Sequence, residues 1–212
     1  MAKLSSSLSA QLLSRYKTLE STQKNIEILI GKQLVTKRAA HLMYESLFLS
    51  AHVAIEGFIE QLFLGHLIEK GTKQCIVSNM HIVKPRIVVN SARIARELVT
   101  GPNKNYVDWV PYYKTLEMAN LYFRGGKPFS ELTNDEKKLL EKCHIIRNAI
   151  AHKSRHSIKQ FKNKVLINPS SLPPRERNPS GYLSAIIRVS PLQTRFSSYL
   201  TQMALIAKKL AA

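Results

Sequence analysis

Arg147, Asn148 and His152 stand near the end of an otherwise apolar helical pattern, in the stretch KCHIIRNAIAHKSRH at 142–156. A histidine can take or give a proton near neutral pH, because its ordinary pKa lies there. An arginine can hold two phosphate oxygens with its planar guanidinium and stabilise the charge that builds on them. Cleavage of RNA without a metal ion needs a group that transfers protons and a group that stabilises negative charge on the phosphate. The 2′-OH would be the internal nucleophile, and Asn148 would orient the imidazole or the phosphate.

The helical period places these side chains on different flanks of one helix. Asn148 and His152 are four residues apart and share a flank with His144, while Arg147 lies on the neighbouring flank. Arg147 and His152 are five residues apart, which is about 140° around an ideal helix. They can therefore meet on one ligand through long side chains, through a distorted last turn, or across two copies of the helix. The core stripe faces another side and consists of Leu139, Cys143, Ile146 and Ile150.

These residues also have an ordinary structural interpretation. Arginine and histidine in a last turn stabilise free carbonyl groups and the negative end of the helix dipole. Spacing alone therefore leaves a cationic helix end as the alternative. For His144, an interface or surface residue is the favoured interpretation and a second proton carrier the alternative. His152 and His156 have a spacing that metals can use, but no nearby carboxylate or cysteine completes a set, so no metal is expected.

Most of the remaining chain follows a helical period. Thr133 and Glu136 have capping-box spacing and mark the start of the helix that carries the candidate site. We expect a mainly α fold, an up-and-down helical bundle with a small β-hairpin or irregular insertion near 164–190. The expected organisation is one domain over 1–212, with an N-terminal helical extension at 1–38, a core at 40–165 and a C-terminal helix at 191–212. Helices are predicted within 5–38 and at about 40–70, 87–99, 111–124, 133–152 and 191–212.

The charge balance points to a polyanionic partner. The chain of 212 residues has 32 Lys+Arg against 14 Asp+Glu, a formal charge of +18. RNA fits because each neutralised phosphate releases counterions. An anionic membrane surface or an acidic protein meeting a basic surface are the alternatives. A basic run follows the candidate site directly, and its expected RNA-binding residues are Lys153, Arg155, Lys159 and Lys162.

Other features narrow the setting. Cys75 and Cys143 form no CxxC pair, which indicates neither a disulfide framework nor a cysteine zinc site and favours a reducing, cytoplasmic location. The N-terminal stretch lacks the continuous apolar region of a signal peptide. The apolar stretch 46–68 contains Glu56 and Glu60, so a buried helix is a better interpretation than a membrane span. No membrane partner and no cofactor are expected, and phosphate-binding or dinucleotide-binding glycine motifs do not occur.

The stretch RNAIAH (147–152) resembles the signature of HEPN domains: an arginine, a polar residue, a few small or apolar residues, and a histidine near the end of a late helix. AHVAIEGFIEQL (51–62) is similar to the early HEPN helix that carries an acidic residue. The resemblance implies a helical bundle and a metal-independent endoribonuclease, as in many toxins and defence factors. It implies Arg147 and His152 as the catalytic pair, Asn148 as their polar neighbour and Glu56 as an acidic residue that orients Arg147.

The resemblance also implies partners. HEPN proteins dimerise so that two Arg/His helix ends form one composite site, so a homodimer is expected, together with an antitoxin or other inhibitor protein. Some toxin members carry a tyrosine two residues after the histidine, where it is modified by the antitoxin; here that position is Ser154. We therefore expect an endoribonuclease in a toxin–antitoxin or phage-defence setting that leaves 2′,3′-cyclic phosphate and 5′-OH ends. The alternative is a non-catalytic basic helical module that binds nucleic acid or a partner protein.

Overall fold

The computed structural model of the chain describes residues 2–73, 89, 91–100, 107–166, 170 and 172–212. These residues form a mainly α-helical structure with one small antiparallel sheet, as the periodicity predicts. The elements are α1 (Ala2–Gly31), α2 (Lys37–Lys73), α3 (Ala92–Thr100), α4 (Tyr112–Tyr122), α5 (Asn134–His152), α6 (Arg155–Lys164), α7 (Pro179–Ser184), β1 (Ile186–Arg188), β2 (Gln193–Thr194) and α8 (Arg195–Ala211). Short 3₁₀ turns lie at Arg124–Gly126, Phe129–Glu131 and Pro174–Glu176.

Helix α2 is the centre of the bundle and packs against α1, α3, α5, α7 and α8. Apolar residues recur in α2 at three- and four-residue steps, which predicts one apolar face. All five residues of that face are buried: Phe48, Ala51, Ile55, Phe58 and Leu62. Helix α1 packs along both α2 and α8. It buries Leu8, Leu12 and Tyr16 in the same core, so the N-terminal segment takes part in the bundle itself. Gly31 interrupts the stretch 5–38, in which helices are predicted, and α1 ends at this residue.

Among the described residues, α2 is the one helix long and apolar enough to cross a membrane by length and composition, with a mean hydropathy of 1.4 over an 18-residue apolar window within Lys37–Ile68. Of the apolar window, 56% is buried inside the protein. A core helix passes the same test, and α2 has helices packed around it. The absence of a membrane partner stays a prediction.

The start of α5 is fixed by the predicted capping box. The Glu136 backbone N–H donates to Thr133 Oγ1 (3.2 Å), and the Thr133 N–H donates to Glu136 Oε2 (2.6 Å). Both bonds satisfy N–H groups that a helix start otherwise leaves unpaired. Glu136 also accepts from Lys209 Nζ on α8 (2.7 Å), which ties the start of α5 to the last helix.

The predicted small hairpin is present as the antiparallel pair of β1 and β2, with Ile186 opposite Thr194, but β2 lies beyond residue 190. At the start of the predicted insertion, α6 ends at Lys164, and Val165 and Leu166 after it are buried in the core. Residues 167–169 lie outside the described part. The C-terminal helix begins at Arg195 and not near 191.

Part of the insertion predicted near 164–190 is helical. The Asn178 side chain accepts from the backbone N–H of Gly181 (2.9 Å) and so caps the short helix α7. The sequence NPSG has both a capping residue and a proline at the first helical position, which favour a helix start. Leu183 then packs into the core, so α7 closes one side of the bundle against α2.

Candidate functional site

Four polar side chains at the end of α5 are joined through hydrogen-bonding contacts within one chain. Arg147 Nη1 donates to Asn148 Oδ1 (2.9 Å) and lies 3.3 Å from His152 Nε2. Asn148 Nδ2 lies 2.9 Å from His144 Nε2. We call His144, Asn148, Arg147 and His152 the α5 polar chain. The predicted grouping of His144 and Asn148 on one flank is confirmed by their direct contact.

The donor and acceptor roles in the α5 polar chain follow from its arginine, because a guanidinium only donates. His152 Nε2 must therefore accept from Arg147, and its ring proton is then on Nδ1. The two hydrogens of Arg147 Nη1 serve Asn148 and His152. Within the described residues, Nε and Nη2 of Arg147 make no hydrogen bond. His152 is exposed and Arg147 half-buried, so a ligand can reach both.

Of the three ways in which Arg147 and His152 could meet, the structure shows convergence within one chain. The long arginine side chain bridges the five-residue step to 3.3 Å. His152 is the last residue of α5, and Lys153 after it has a left-handed conformation (φ 48°, ψ 21°) that ends the helix. The five-residue step between Arg147 and His152 therefore does not by itself require a second chain. The homodimer itself stays a prediction.

Glu56 lies on α2 near this site but does not contact Arg147 as predicted. Its Oε2 is 3.8 Å from His52 Nδ1, and it accepts a hydrogen bond from the Val110 backbone N–H. Burial raises the pKa of Glu56, and the positive charge of Arg147 acts in the opposite direction. No ion pair joins Glu56 to Arg147 among the described residues. Glu56 therefore acts on Arg147 through its charge, while Asn148 makes the orienting hydrogen bond.

His52 is a neighbour of the site that sequence reasoning did not assign to it. It is 1% exposed, and its ring centroid lies 6.1 Å from that of His144. Neither ring nitrogen of His52 has a hydrogen-bond partner in the described structure. Burial, followed by the charges of His144 and Arg147, lowers the pKa of His52 to about 3. The four-residue step from His52 to Glu56 was the available signal, because it places both on one side of α2.

The predicted RNA-binding residues lie beside the α5 polar chain. Lys153 Nζ is 3.0 Å from Glu45 Oε2 on α2, an exposed ion pair of the kind that contributes little and can exchange. Arg155, Lys159 and Lys162 are exposed on α6, whose opposite face is buried. The structure therefore gathers the basic run on the surface next to His152.

A groove of about 520 Å³ opens at Lys153, between the start of α2, the end of α5 and α7. Its floor is mainly apolar, and its lining includes the charged residues Arg38, Glu45 and Lys153 together with His41. The groove extends the basic surface of α6 towards the start of α2. Among the described residues, no group of three or more histidine, cysteine, aspartate or glutamate side chains is placed to hold a metal ion.

Comparisons with protein-family models, with curated proteins and with solved structures find no match to this chain. The likeness to HEPN domains accordingly rests on the two sequence motifs given above. The chemistry of the α5 polar chain and its surroundings is therefore the basis for a functional proposal.

Proposed function

We propose that the chain is a metal-independent endoribonuclease of HEPN type, with Arg147 and His152 as its catalytic pair. The observation that carries the proposal is their 3.3 Å contact at an exposed helix end. A guanidinium and an imidazole held together at a surface can bind a phosphate and move a proton beside it. The neighbouring basic residues of α6 supply affinity for an RNA backbone.

The proposed reaction is an internal transfer at one phosphate. As RNA binds, Arg147 Nη1 turns its hydrogen from His152 Nε2 to the phosphate. His152 Nε2 then takes the proton of the 2′-OH, the 2′-oxygen bonds to phosphorus, and the bond from phosphorus to the 5′-oxygen breaks. Arg147 holds the non-bridging oxygens, on which negative charge builds. The departing 5′-oxygen takes up a proton, and the products are a 2′,3′-cyclic phosphate and a 5′-OH.

A homodimer would supply that second proton. One imidazole cannot be base and acid at the same moment, whereas a second copy of the helix end brings a second His152. This gives the composite site a chemical reason in place of the geometric one. Mixing wild type with an excess of the His152→Ala protein tests it: cleavage per wild-type chain should fall towards zero, because a mixed dimer holds a single His152. Unchanged cleavage by a mixture shown to contain mixed dimers refutes it.

Such an enzyme would damage the cell that makes it, so we place it in a toxin–antitoxin or phage-defence role in the cytoplasm, under an inhibitor protein. Ser154 occupies the position where some HEPN toxins carry a modified tyrosine. Here its Oγ accepts from the Ser157 backbone N–H (3.1 Å) and caps α6. The residue therefore has a structural role, and the proposed inhibition is by binding.

The proposal is tested by incubating RNA with the full-length protein in excess EDTA. Wild-type protein should cleave it, and Arg147→Ala and His152→Ala should each lose at least about a hundredfold in rate. His156→Ala is the matched control, because His156 is an exposed histidine four residues on, outside the α5 polar chain. Intact RNA, or equal cleavage by all four proteins, would overturn the proposal. RNA that is bound but not cut would favour the non-catalytic basic module.

A further inference from the structure

We infer that His144 is a positioning residue of the proposed ribonuclease site, which fixes the Asn148 amide so that Asn148 holds Arg147 against His152. The inference rests on the proposed function. It is drawn from two short contacts in series: His144 Nε2 to Asn148 Nδ2 and Asn148 Oδ1 to Arg147 Nη1, each 2.9 Å. His144 touches neither Arg147 nor His152 through these contacts, so its effect passes through the amide.

The direction of every hydrogen bond in this series is determined. Arg147 only donates, so Asn148 must present Oδ1 to it and Nδ2 to His144. His144 Nε2 must then accept, which requires a neutral ring with its proton on Nδ1. A charged His144 would set an N–H against the amide N–H. A flipped amide would set its NH₂ group against the guanidinium.

The surroundings of His144 favour this neutral state. Burial, followed by the charge of Arg147, lowers the pKa of His144; Lys114 and His152 act in the same direction, and Asp108 opposes them. His52 faces it from α2 with its ring centroid 6.1 Å away. His144 Nδ1 is buried and has no hydrogen-bond partner in the described structure, so the contact between Nε2 and Asn148 is made at the cost of one unpaired N–H.

The consequence for catalysis is preorganisation. An arginine side chain has many rotamers, and it meets a phosphate productively only when its plane is held. Without an acceptor at position 144, the Asn148 amide is free to flip and Arg147 loses its fixed partner. RNA binding through α6 would remain, so kcat should fall while KM changes little.

The kinetic test compares His144→Leu, which removes the acceptor, with His144→Gln, whose amide oxygen can accept from Asn148. In EDTA, His144→Leu should lower kcat at least about tenfold with KM within about threefold of wild type. His144→Gln should recover to within about threefold of wild type. Full activity in His144→Leu, or equal loss in His144→Gln, would overturn the inference. Circular dichroism and thermal melting establish that both variants are folded, and His156→Leu is the control for losing a histidine.

A second measurement does not depend on activity. Long-range ¹H–¹⁵N spectra of the full-length wild-type protein at neutral pH should show His144 neutral, with its proton on Nδ1. The Arg147 Nη1 hydrogens should exchange slowly in wild type and His144→Gln and at least about tenfold faster in His144→Leu, because the bond to Asn148 is then lost. A proton on Nε2 of His144, a charged ring, or equal exchange in all three proteins would refute the inference. If RNA stays intact while these spectra agree, the proposed enzyme fails and the positioning contact stands.

Discussion

Acid should destabilise this protein through His52, and replacing His52 by leucine should remove that effect. The side chain is 1% exposed, and burial, followed by the charges of His144 and Arg147, lowers its pKa from 6.5 to about 3. In the unfolded chain the ring is in water and keeps its ordinary pKa. Protons therefore bind to the unfolded state before they bind to the folded one.

The magnitude follows from these two values. Above pH 6.5 the ring is neutral in both states and adds no pH dependence. As the pH falls from 6.5 towards 3, the unfolded state holds the extra proton, and the free energy of unfolding drops by about 1.4 kcal/mol for each pH unit. The loss is about 3 kcal/mol at pH 4.5 and approaches about 5 kcal/mol towards pH 3.

Urea unfolding at pH 7.5, 6.5, 5.5 and 4.5, followed by circular dichroism, measures this effect. The difference in unfolding free energy between His52→Leu and wild type should grow by about 3 kcal/mol in favour of the variant between pH 7.5 and 4.5. His156→Leu is the control, since an exposed histidine should leave the wild-type slope unchanged. Parallel curves for wild type and His52→Leu would refute the assigned burial of a neutral ring.

Three further results are expected. Arg147→Lys should lower cleavage at least about a hundredfold in single-turnover assays, because a point charge cannot span both partners of the guanidinium. RNA affinity is measured by fluorescence anisotropy in the His152→Ala background, which should bind RNA without cutting it. There, the double substitution Lys159→Gln and Lys162→Gln should reduce the slope of log affinity for single-stranded RNA against log salt by about 1.4. Thr133→Ala should lower the free energy of unfolding by about 1 kcal/mol in urea titrations, because it removes the side-chain cap of α5.

Each of these results has a contradicting outcome. Undiminished cleavage by Arg147→Lys would show that the planar guanidinium is not needed and that a positive charge is enough. The control for the Lys159 and Lys162 double variant is Lys17→Gln with Lys32→Gln, because these lysines are exposed in the N-terminal region. Equal changes in the salt slope for both double variants would show that only net charge matters. No stability change in Thr133→Ala would mean that Glu136 and Lys209 hold the start of α5 without the cap.

The parts of the structure that the sequence predicts are those set by local pattern. The capping box at Thr133, the apolar face of α2 and the end of α1 near Gly31 follow from side chains a few residues apart. The same holds for the contact between His144 and Asn148, which one helical turn brings together. These features need no knowledge of the tertiary fold.

The remaining features depend on packing between distant segments. The helical period gives directions around the axis, but the approach of Arg147 to His152 is set by the rotamer of a long side chain. The burial of His52 against His144 requires α2 and α5 to be docked. The register of β1 against β2, with Ile186 opposite Thr194, is likewise not given by the residue pattern of either strand alone.

The end groups left at a single cut test the central claim most directly. A DNA strand that contains one ribonucleotide, placed where the wild-type protein cuts RNA, is incubated with the protein in excess EDTA and the fragments are identified by mass spectrometry. We predict one cut on the 3′ side of the ribonucleotide, with a 2′,3′-cyclic phosphate and a 5′-OH, and no cut by Arg147→Ala or His152→Ala. A 3′-OH with a 5′-phosphate, cutting of the all-deoxy strand, or cutting by either variant would contradict the claim.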